Sequence, residues 1–214
     1  MRTSYLILLL CLMPQSALAL WTGISAFAGQ QQSDWELGPQ LREADIFSYG
    51  LSIEEKTRPG LRIGAGAGQF DLRLKDRNTL SPIEDFDGQF FLFYLRWPFQ
   101  LGESLTLHTR FDYQYHSGNN EDLNQPRQDI NWTDIGFHAG LALRIDTISL
   151  QPFLRYRLID GDITSDTASR LLQHHQDQSY GLMLDIHVES TAYVRLQASL
   201  SAVDSLSIHF VRAY

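Results

Sequence analysis

The sequence LTLHTRFDYQY spans residues 105–115, and apart from Thr109 every second side chain of it, starting at Leu105, is apolar or aromatic. Successive side chains of a β-strand point to opposite faces, whereas the 3.6-residue period of a helix does not produce this alternation. The same period of two recurs in 47–54, 135–145, 150–158, 180–188 and 192–200. These segments predict a chain made almost entirely of β-strands, each with one apolar face.

Two further segments depart from simple alternation. The segment 60–75 carries its apolar residues at one parity up to Ala67 and at the other parity from Phe70 onward. A β-bulge or sharp bend near Gly66–Gly68 would bring both sets of apolar side chains to the same face of the sheet, because an extra residue shifts the side-chain register. The segment 88–98 is apolar on both faces, which predicts that its second face meets a packed interior.

The first residues have the features of a secretory signal. Arg2 precedes an apolar run at 6–13 that is too short to cross a membrane as a helix. Pro14 breaks the run, and Ala17 and Ala19 supply the small residues that a signal peptidase requires. We therefore predict a cleaved signal peptide at 1–19 and a mature domain at 20–214. The only cysteine of the chain would be removed with the signal peptide, so neither disulfides nor thiolate metal ligands are expected in the mature domain.

Composition narrows the class of protein. The chain has 214 residues, a length typical of one domain, and its 43% hydrophobic content excludes a disordered protein. The 17 Lys and Arg residues against 25 Asp and Glu residues give a formal net charge of −8. A general nucleic-acid binder needs a basic surface, so no nucleic-acid partner is expected.

The connections between predicted strands alternate in length. Those at 57–60, 98–103, 146–149 and 189–191 are short, whereas those at 30–44, 76–87, 117–131 and 161–177 are long and polar. Bacterial outer-membrane barrels have short turns in the periplasm and long loops outside. The first clear hairpin, 45–55 with 60–75, has a short turn, so an upward strand must precede it, and 21–29 is the candidate. This predicts a transmembrane antiparallel up-and-down β-barrel of ten strands, with eight strands as the alternative.

Alternation alone does not distinguish a membrane barrel from a secreted, lipocalin-like barrel with an apolar interior. Aromatic residues near the predicted strand ends favour the membrane barrel, because they form interfacial girdles there. These residues are Trp97, Tyr113, Tyr115, Trp132, Tyr180 and Tyr214.

In the membrane orientation, the polar face points into the lumen. The predicted polar network of the lumen consists of Arg110, Asp112, His138, Arg144, Arg155, Arg157, Asp185, His187 and Arg195. We expect these groups to pair with one another, because an unpaired charge in a closed lumen costs several kcal/mol. The alternative is that they line a narrow, ion-selective water path.

The C-terminal segment 206–214 alternates apolar residues and ends in the aromatic Tyr214. It resembles the terminal strand of small outer-membrane β-barrel proteins of Gram-negative bacteria, the class of OmpA, OmpX and the opacity proteins. Arg212 departs from that pattern, which has an apolar residue or an aromatic two positions before the end. The resemblance implies the cell outer membrane, its lipids and, through this strand, the barrel assembly machinery as partners.

Three patterns resemble enzyme or metal sites. Asp85 with Asp87, and Asp185 with His187, are similar to the paired elements of the omptin proteases, but the predicted topology puts the pairs at opposite ends of the barrel. The His116-Ser117 pair loosely resembles the site of lipid A deacylases. Adjacent histidines at 174–175 could bind a divalent metal, yet such pairs on a loop rarely do.

The strand parity and the alternation of connection lengths outweigh these three resemblances. Together they predict a protein without enzymatic activity, metal or cofactor. Its function would be structural, surface-presenting or that of a narrow, porin-like channel with a mostly plugged lumen. The long loops would be the surface for an extracellular partner.

Overall fold

The computed structural model describes residues 21–57, 60–76, 84–120, 127–165, 169–174, 178–201 and 203–214. The predicted signal peptide lies outside these residues. The strands are β1 (Trp21–Leu37), β2 (Gln40–Lys56), β3 (Arg62–Asp76), β4 (Glu84–Gln100), β5 (Leu105–Asn119), β6 (Gln128–Ile145), β7 (Ile148–Ser165), β8 (Ser169–His174), β9 (Gln178–Glu189), β10 (Ala192–Ser201) and β11 (Val203–Ala213). Across the described ranges, no helix is long and apolar enough to cross a membrane.

Ten of these strands form a closed antiparallel barrel. Each of β1 to β7 pairs with the next strand, β7 pairs with β9, and β11 pairs back to β1. The predicted first strand at 21–29 belongs to β1, which pairs with both β2 and β11 and so closes the barrel. The prediction of a ten-stranded barrel is confirmed, and β8 is an additional strand.

The predicted short connections at 57–60, 98–103, 146–149 and 189–191 lie at one end of the barrel, which we call the turn end. There β6 and β7 are joined by Asp146 and Thr147, and β9 and β10 are joined by residues 190–191. Trp21, the first described residue, and Tyr214 lie at the same end, where the backbone of Thr22 bonds to that of Tyr214. We call the opposite end the loop end.

The predicted long loop at 30–44 is wrong. Its residues continue β1 and β2 into a hairpin with a two-residue turn at Gly38 and Pro39. Gly38 has a φ of +58°, a conformation that glycine adopts without strain. The polar residues at 30–34 suggested a loop, but Ser33, Trp35 and Leu37 already alternate as buried positions.

Strand length separates the barrel into two parts. A transmembrane strand needs about 9–11 residues, and β9, β10 and β11 have 12, 10 and 11 residues. Strands β1 to β7 have 15 to 18 residues. Their excess length extends past the tops of β9, β10 and β11. There β8 bridges β7 and β1, pairing at 160–164 and 35–37, so the extension closes with eight strands instead of ten.

We call this extension the collar. It comprises residues 33–37, 40–46, 69–76, 84–90, 116–119, 128–133, 159–165 and β8. Within the collar the polarity of the strands is reversed: in β3, Phe70, Leu72 and Leu74 are buried inside while Asp71 and Arg73 are exposed outside. Below the collar, the outward residues of β3 are the apolar Ile63, Ala65 and Ala67.

The polarity reversal corrects the prediction of a bulge in β3. Pairing of β3 with β2 and with β4 continues without a register shift through Gly66 and Gly68. The inward positions change from glycine to large apolar residues because the strand leaves the membrane zone. Glycine at position 68 is required by packing, since a Cβ there would lie 2.6 Å from the Phe90 ring.

Below the collar, the outer face of the barrel is an apolar band. It includes Phe47, Leu51, Phe93, Leu141, Leu154 and Leu182, all exposed. Tyr49 and Tyr115 mark its loop-end border, where their hydroxyls bond to Gln69 and Asn131. The segment 88–98 is confirmed as apolar on both faces, since Phe90 and Tyr94 are buried inside while Phe91 and Phe93 face outward.

Replacing Leu141 with Arg tests the apolar band. Leu141 faces outward on β6 and is 45% exposed. We expect Leu141→Arg to lower the free energy of unfolding in liposomes by about 2–4 kcal/mol, because a charge must enter the lipid. The control is Ser117→Arg on the outer face of the collar, for which a loss of about 0–1 kcal/mol is expected. Equal losses would contradict the position of the band.

Cysteine labelling tests the orientation. The only cysteine lies in the predicted signal, so single cysteines report without background. We expect a membrane-impermeant maleimide to label Asp85→Cys, on the collar, in intact cells. Gly102→Cys, at the turn end, should react only after the outer membrane is permeabilised. The reverse pattern would place the collar in the periplasm.

Candidate functional site in the lumen

A cluster of aromatic rings fills the collar where it joins the membrane zone. The Trp132 ring stacks on His116, with centroids 4.1 Å apart and an interplanar angle of 4°. Phe70 and Trp35 meet the same indole edge-on at 4.8 Å and 5.3 Å. Phe90 lies 5.4 Å from His116 and closes the cluster from β4. These residues come from five strands and nearly all are fully buried, so they form one packed cluster inside the barrel, which we call the plug.

Aliphatic side chains fill the rest of the collar toward the loop end. They are Leu37, Ala44, Ile46, Leu72, Leu74, Ile130, Ile159, Ile163 and Leu172, together with Phe86. Arg170 of β8 crosses this core and donates to both oxygens of Glu84 at 3.2 and 2.9 Å, and to Gln128 at 3.1 Å. This bidentate pair links β8 to β4, the strand opposite it in the eight-stranded collar.

A buried ion pair lies directly below the plug. Arg157 of β7 donates from Nε to Asp134 of β6 at 3.1 Å, and its Nη2 contacts the second oxygen of the same carboxylate. Its remaining Nη1 reaches across to Gln31 Oε1 of β1 at 2.7 Å. The pair therefore connects the two strands that β8 joins higher up.

A second cluster is centred on Asp112 of β5. Arg155 donates to its Oδ2 at 3.0 Å, and Arg110 Nε lies 3.2 Å from Oδ1. Position 136 must be glycine here, because a Cβ would collide with the Asp112 carboxylate. His138 packs beside this cluster on the Phe153 ring at 4.3 Å. The Asp112 carboxylate thus pairs with two guanidinium groups, those of Arg110 and Arg155.

Two more pairs lie near the turn end. Arg195 binds Asp185 with two hydrogen bonds of 2.7 and 2.8 Å. Arg62 donates to Glu54 at 3.0 Å. Arg96 of β4 lines the lumen between these pairs.

The structure brings most of the predicted network together on the inner wall. Arg110, Asp112, His138, Arg155, Arg157, Asp185 and Arg195 lie there. Two predicted members differ: Arg144 is exposed at the turn end, and His187 is half-buried near that rim, where it packs on Tyr193 at 5.3 Å. Both continue the inward parity of their strands, but they lie too close to the strand ends to be enclosed.

Sequence reasoning missed Glu54, Arg62 and Arg96 as lumen residues. Glu54 and Arg62 lie on the polar parity of the predicted strands 47–54 and 60–75, but they lie near the strand ends and were not included in the predicted network. Arg96 follows a segment that is apolar on both faces, so the alternation did not reveal whether its side chain points into the lumen or outward. The register supplies the missing signal, because Arg62 and Arg96 are direct cross-strand partners.

The residues that resemble enzyme motifs are not brought together. Asp85 lies on the outer face of the collar, 3.2 Å from Arg73, whereas Asp185 lies in the lumen near the turn end. His116 points into the plug, while Ser117 faces outward on the next position of β5. A histidine can activate a serine only within hydrogen-bond reach, which these opposite faces prevent. Residues 175–177, the second half of the suggested metal site, lie outside the described residues.

Below the plug, the lumen contains a polar cavity of about 180 Å³. Its wall carries arginines on β4, β5, β7 and β10, and the hydroxyls of Ser25, Ser205 and Ser207 on β1 and β11. Toward the turn end it reaches Gly23 and Val211, close to the ends of their strands. Such a chamber can hold water or a small polar solute.

Comparison with solved structures finds other barrels with this architecture. The chain is similar to the transport unit of the autotransporter AIDA-I from Escherichia coli, with 12% identity, a TM-score of 0.50, and coverage of 95% of this chain and 93% of that chain. The chain has the fold of an outer-membrane β-barrel.

Two other barrels of this fold also match. Neisserial surface protein A is 13% identical with a TM-score of 0.46, covering 89% of this chain and 96% of that chain. An outer-membrane channel from Pseudomonas putida F1 is 12% identical with a TM-score of 0.47, covering 94% and 99%. No protein-family model matches the chain, and no curated protein matches it.

The pair of Asp134 and Arg157 allows a test of the lumen network. We expect Asp134→Ala to lower the free energy of unfolding by about 3–5 kcal/mol, because it leaves the buried Arg157 without its carboxylate. Asp129→Ala is the control on the same strand, since Asp129 pairs with Arg127 on the exposed surface at 3.3 Å. Its removal should cost about 0–1 kcal/mol. Urea unfolding of the refolded barrel in liposomes measures both; similar losses would contradict the burial of the pair.

Proposed function

We propose that this chain is an outer-membrane protein whose barrel is closed to solutes and acts as a structural scaffold that presents the collar outside the cell. The observation that carries the proposal is the plug formed by Trp35, Phe70, Phe90, His116 and Trp132. An eight-stranded barrel is just wide enough for side chains to fill it, and the collar is filled in this way.

The outer face of the collar is the proposed contact surface. It is polar, with Asp71, Arg73, Asp85 and Asp129 exposed, and continuous strand pairing holds it in one shape. We propose that it meets an extracellular partner through these charged groups. The apolar band contacts the outer-membrane lipids, and the strand ending at Tyr214 serves as the recognition segment for barrel assembly.

We also propose that the protein has no catalytic activity of its own. The aspartate pairs lie at opposite ends of the barrel, and His116 and Ser117 lie on opposite faces. In the lumen, the described carboxylates of Asp112, Asp134 and Asp185 are held by arginines at 2.7 to 3.2 Å. A carboxylate fixed in this way is a structural anion, not a base available to a substrate.

Conductance of the refolded chain tests the closed state. After folding is verified by the shift of unboiled protein on a gel, we expect the wild-type barrel to be silent in a planar bilayer. The double variant Trp35→Ala/Trp132→Ala removes the largest side chains of the plug and should give discrete openings, at a cost of several kcal/mol of stability.

The matched control is Phe137→Ala, which truncates an aromatic residue on the lipid face and should leave the barrel silent. Discrete openings of the wild-type barrel would show a channel and refute the closed state. Silence of the double variant, once folded, would show that the plug is not what closes the lumen.

A further inference from the structure

The inner wall carries a line of basic residues that are direct cross-strand partners. Arg62 pairs with Arg96, Arg96 with Arg110, Arg110 with His138, and His138 with Arg155. We call these five residues the basic row. The row runs across β3 to β7, from the turn end to the middle of the lumen. The guanidinium groups of Arg62, Arg96 and Arg110 are like charges directly opposite one another on adjacent strands and repel, so this arrangement is unfavourable unless anions compensate it.

The carboxylates of the lumen compensate the row only in part. Between the plug and the turn-end rim, six guanidinium groups point inward, those of Arg62, Arg96, Arg110, Arg155, Arg157 and Arg195. Four carboxylates face them, those of Glu54, Asp112, Asp134 and Asp185. The difference, 6 − 4, leaves two positive charges in excess within the described wall of the lumen.

The excess is concentrated around Arg96 and Arg110. Arg110 shares Asp112 with Arg155 and lies over the Tyr94 ring at 4.3 Å. Arg96 lies between Arg62 and Arg110 in the row, and it shares the Glu54 carboxylate with Arg62, which binds Glu54 at 3.0 Å. One buried donor next to the cavity, Arg155 Nε, also has no hydrogen-bond partner among the described residues.

The cavity adjoining the row has the size and lining for a small anion. Its volume of about 180 Å³ has room for several water molecules or one small anion. The wall opposite the row adds hydroxyl donors from Ser25, Ser205 and Ser207, and this part of the wall carries no carboxylate among the described lining residues. The plug closes the loop end, so a ligand reaches the cavity from the turn end.

We propose that the basic row binds a small oxyanion in this cavity, with Arg96 as its principal ligand and Arg110 beside it. Guanidinium groups bind phosphate and carboxylate oxygens through two parallel hydrogen bonds, which suits a site built from arginines. A bound anion would neutralise the excess charge of the row. This inference is independent of whether the collar has a partner, and it holds for a barrel that does not conduct.

The test is phosphate binding by the full mature chain, refolded in a phosphate-free detergent micelle. Titration calorimetry with inorganic phosphate, at an ionic strength held constant with sodium chloride, should give saturable binding of one anion per barrel. We expect phosphate also to raise the temperature at which the folded gel band is lost, because a ligand that binds only the folded state stabilises it.

Variants of the basic row test whether Arg96 binds the phosphate. Arg96→Gln should weaken phosphate binding at least tenfold, and Arg96→Lys should weaken it less, since it keeps the charge but loses the planar fork. In chloride alone, Arg96→Gln should unfold at the same temperature as wild type or higher, because an uncompensated charge has been removed. The matched control is Arg73→Gln, on the outer face of the collar, which should bind phosphate as wild type does.

Two outcomes would overturn the proposal. One is the absence of saturable phosphate binding by the folded wild-type barrel. The other is equal affinity in wild type and Arg96→Gln, which would place the anion elsewhere. Should Arg96→Gln fail to fold, the Arg96→Lys variant and the Arg73→Gln control still decide, because equal affinities in both variants and wild type would exclude Arg96 as a ligand.

Discussion

The difference between strand length and bilayer thickness governs this structure. A strand buried in lipid must be apolar outside, but the same strand above the membrane must be polar outside. Because β1 to β7 are several residues longer than a bilayer requires, each of them reverses its polarity along its length. In β3 the reversal occurs between Ala67 and Phe70 with no change in register. One unbroken sheet therefore has two opposite interiors, a polar lumen in the membrane and an apolar core above it.

The change from ten strands to eight follows from the same constraint. An apolar interior is stable only if side chains fill it, and the interior of a ten-stranded ring is wider than that of an eight-stranded one. Strands β9 to β11 end at membrane length, and β8 takes their place between β7 and β1. The narrower ring then allows rings such as those of Trp132 and His116 to meet in the centre. Without β8, the collar would leave open edges on β1 and β7.

The sequence predicted the membrane part of the fold well and the collar poorly. The apolar parity of β5, β6 and β7 identified outward and inward faces, since one face there contacts lipid for most of the strand. The loop at 30–44 and the bulge near Gly66–Gly68 were wrong because both predictions assumed one polarity for the whole strand. The register of Arg62 with Arg96 and Arg110 depends on long-range pairing, which no local pattern contains.

A lumen closed at one end changes what its charges can do. In a channel, a binding site must be weak enough for the ion to leave on the far side, which limits how many arginines can converge. In the proposed closed state this requirement is absent, because a solute that enters from the turn end leaves by the same route. The lumen can therefore combine tight internal pairs, such as Arg195 with Asp185, with an excess of positive charge around Arg96. The pairs fix the wall of the lumen, and the excess positive charge is what would favour an oxyanion in the proposed site.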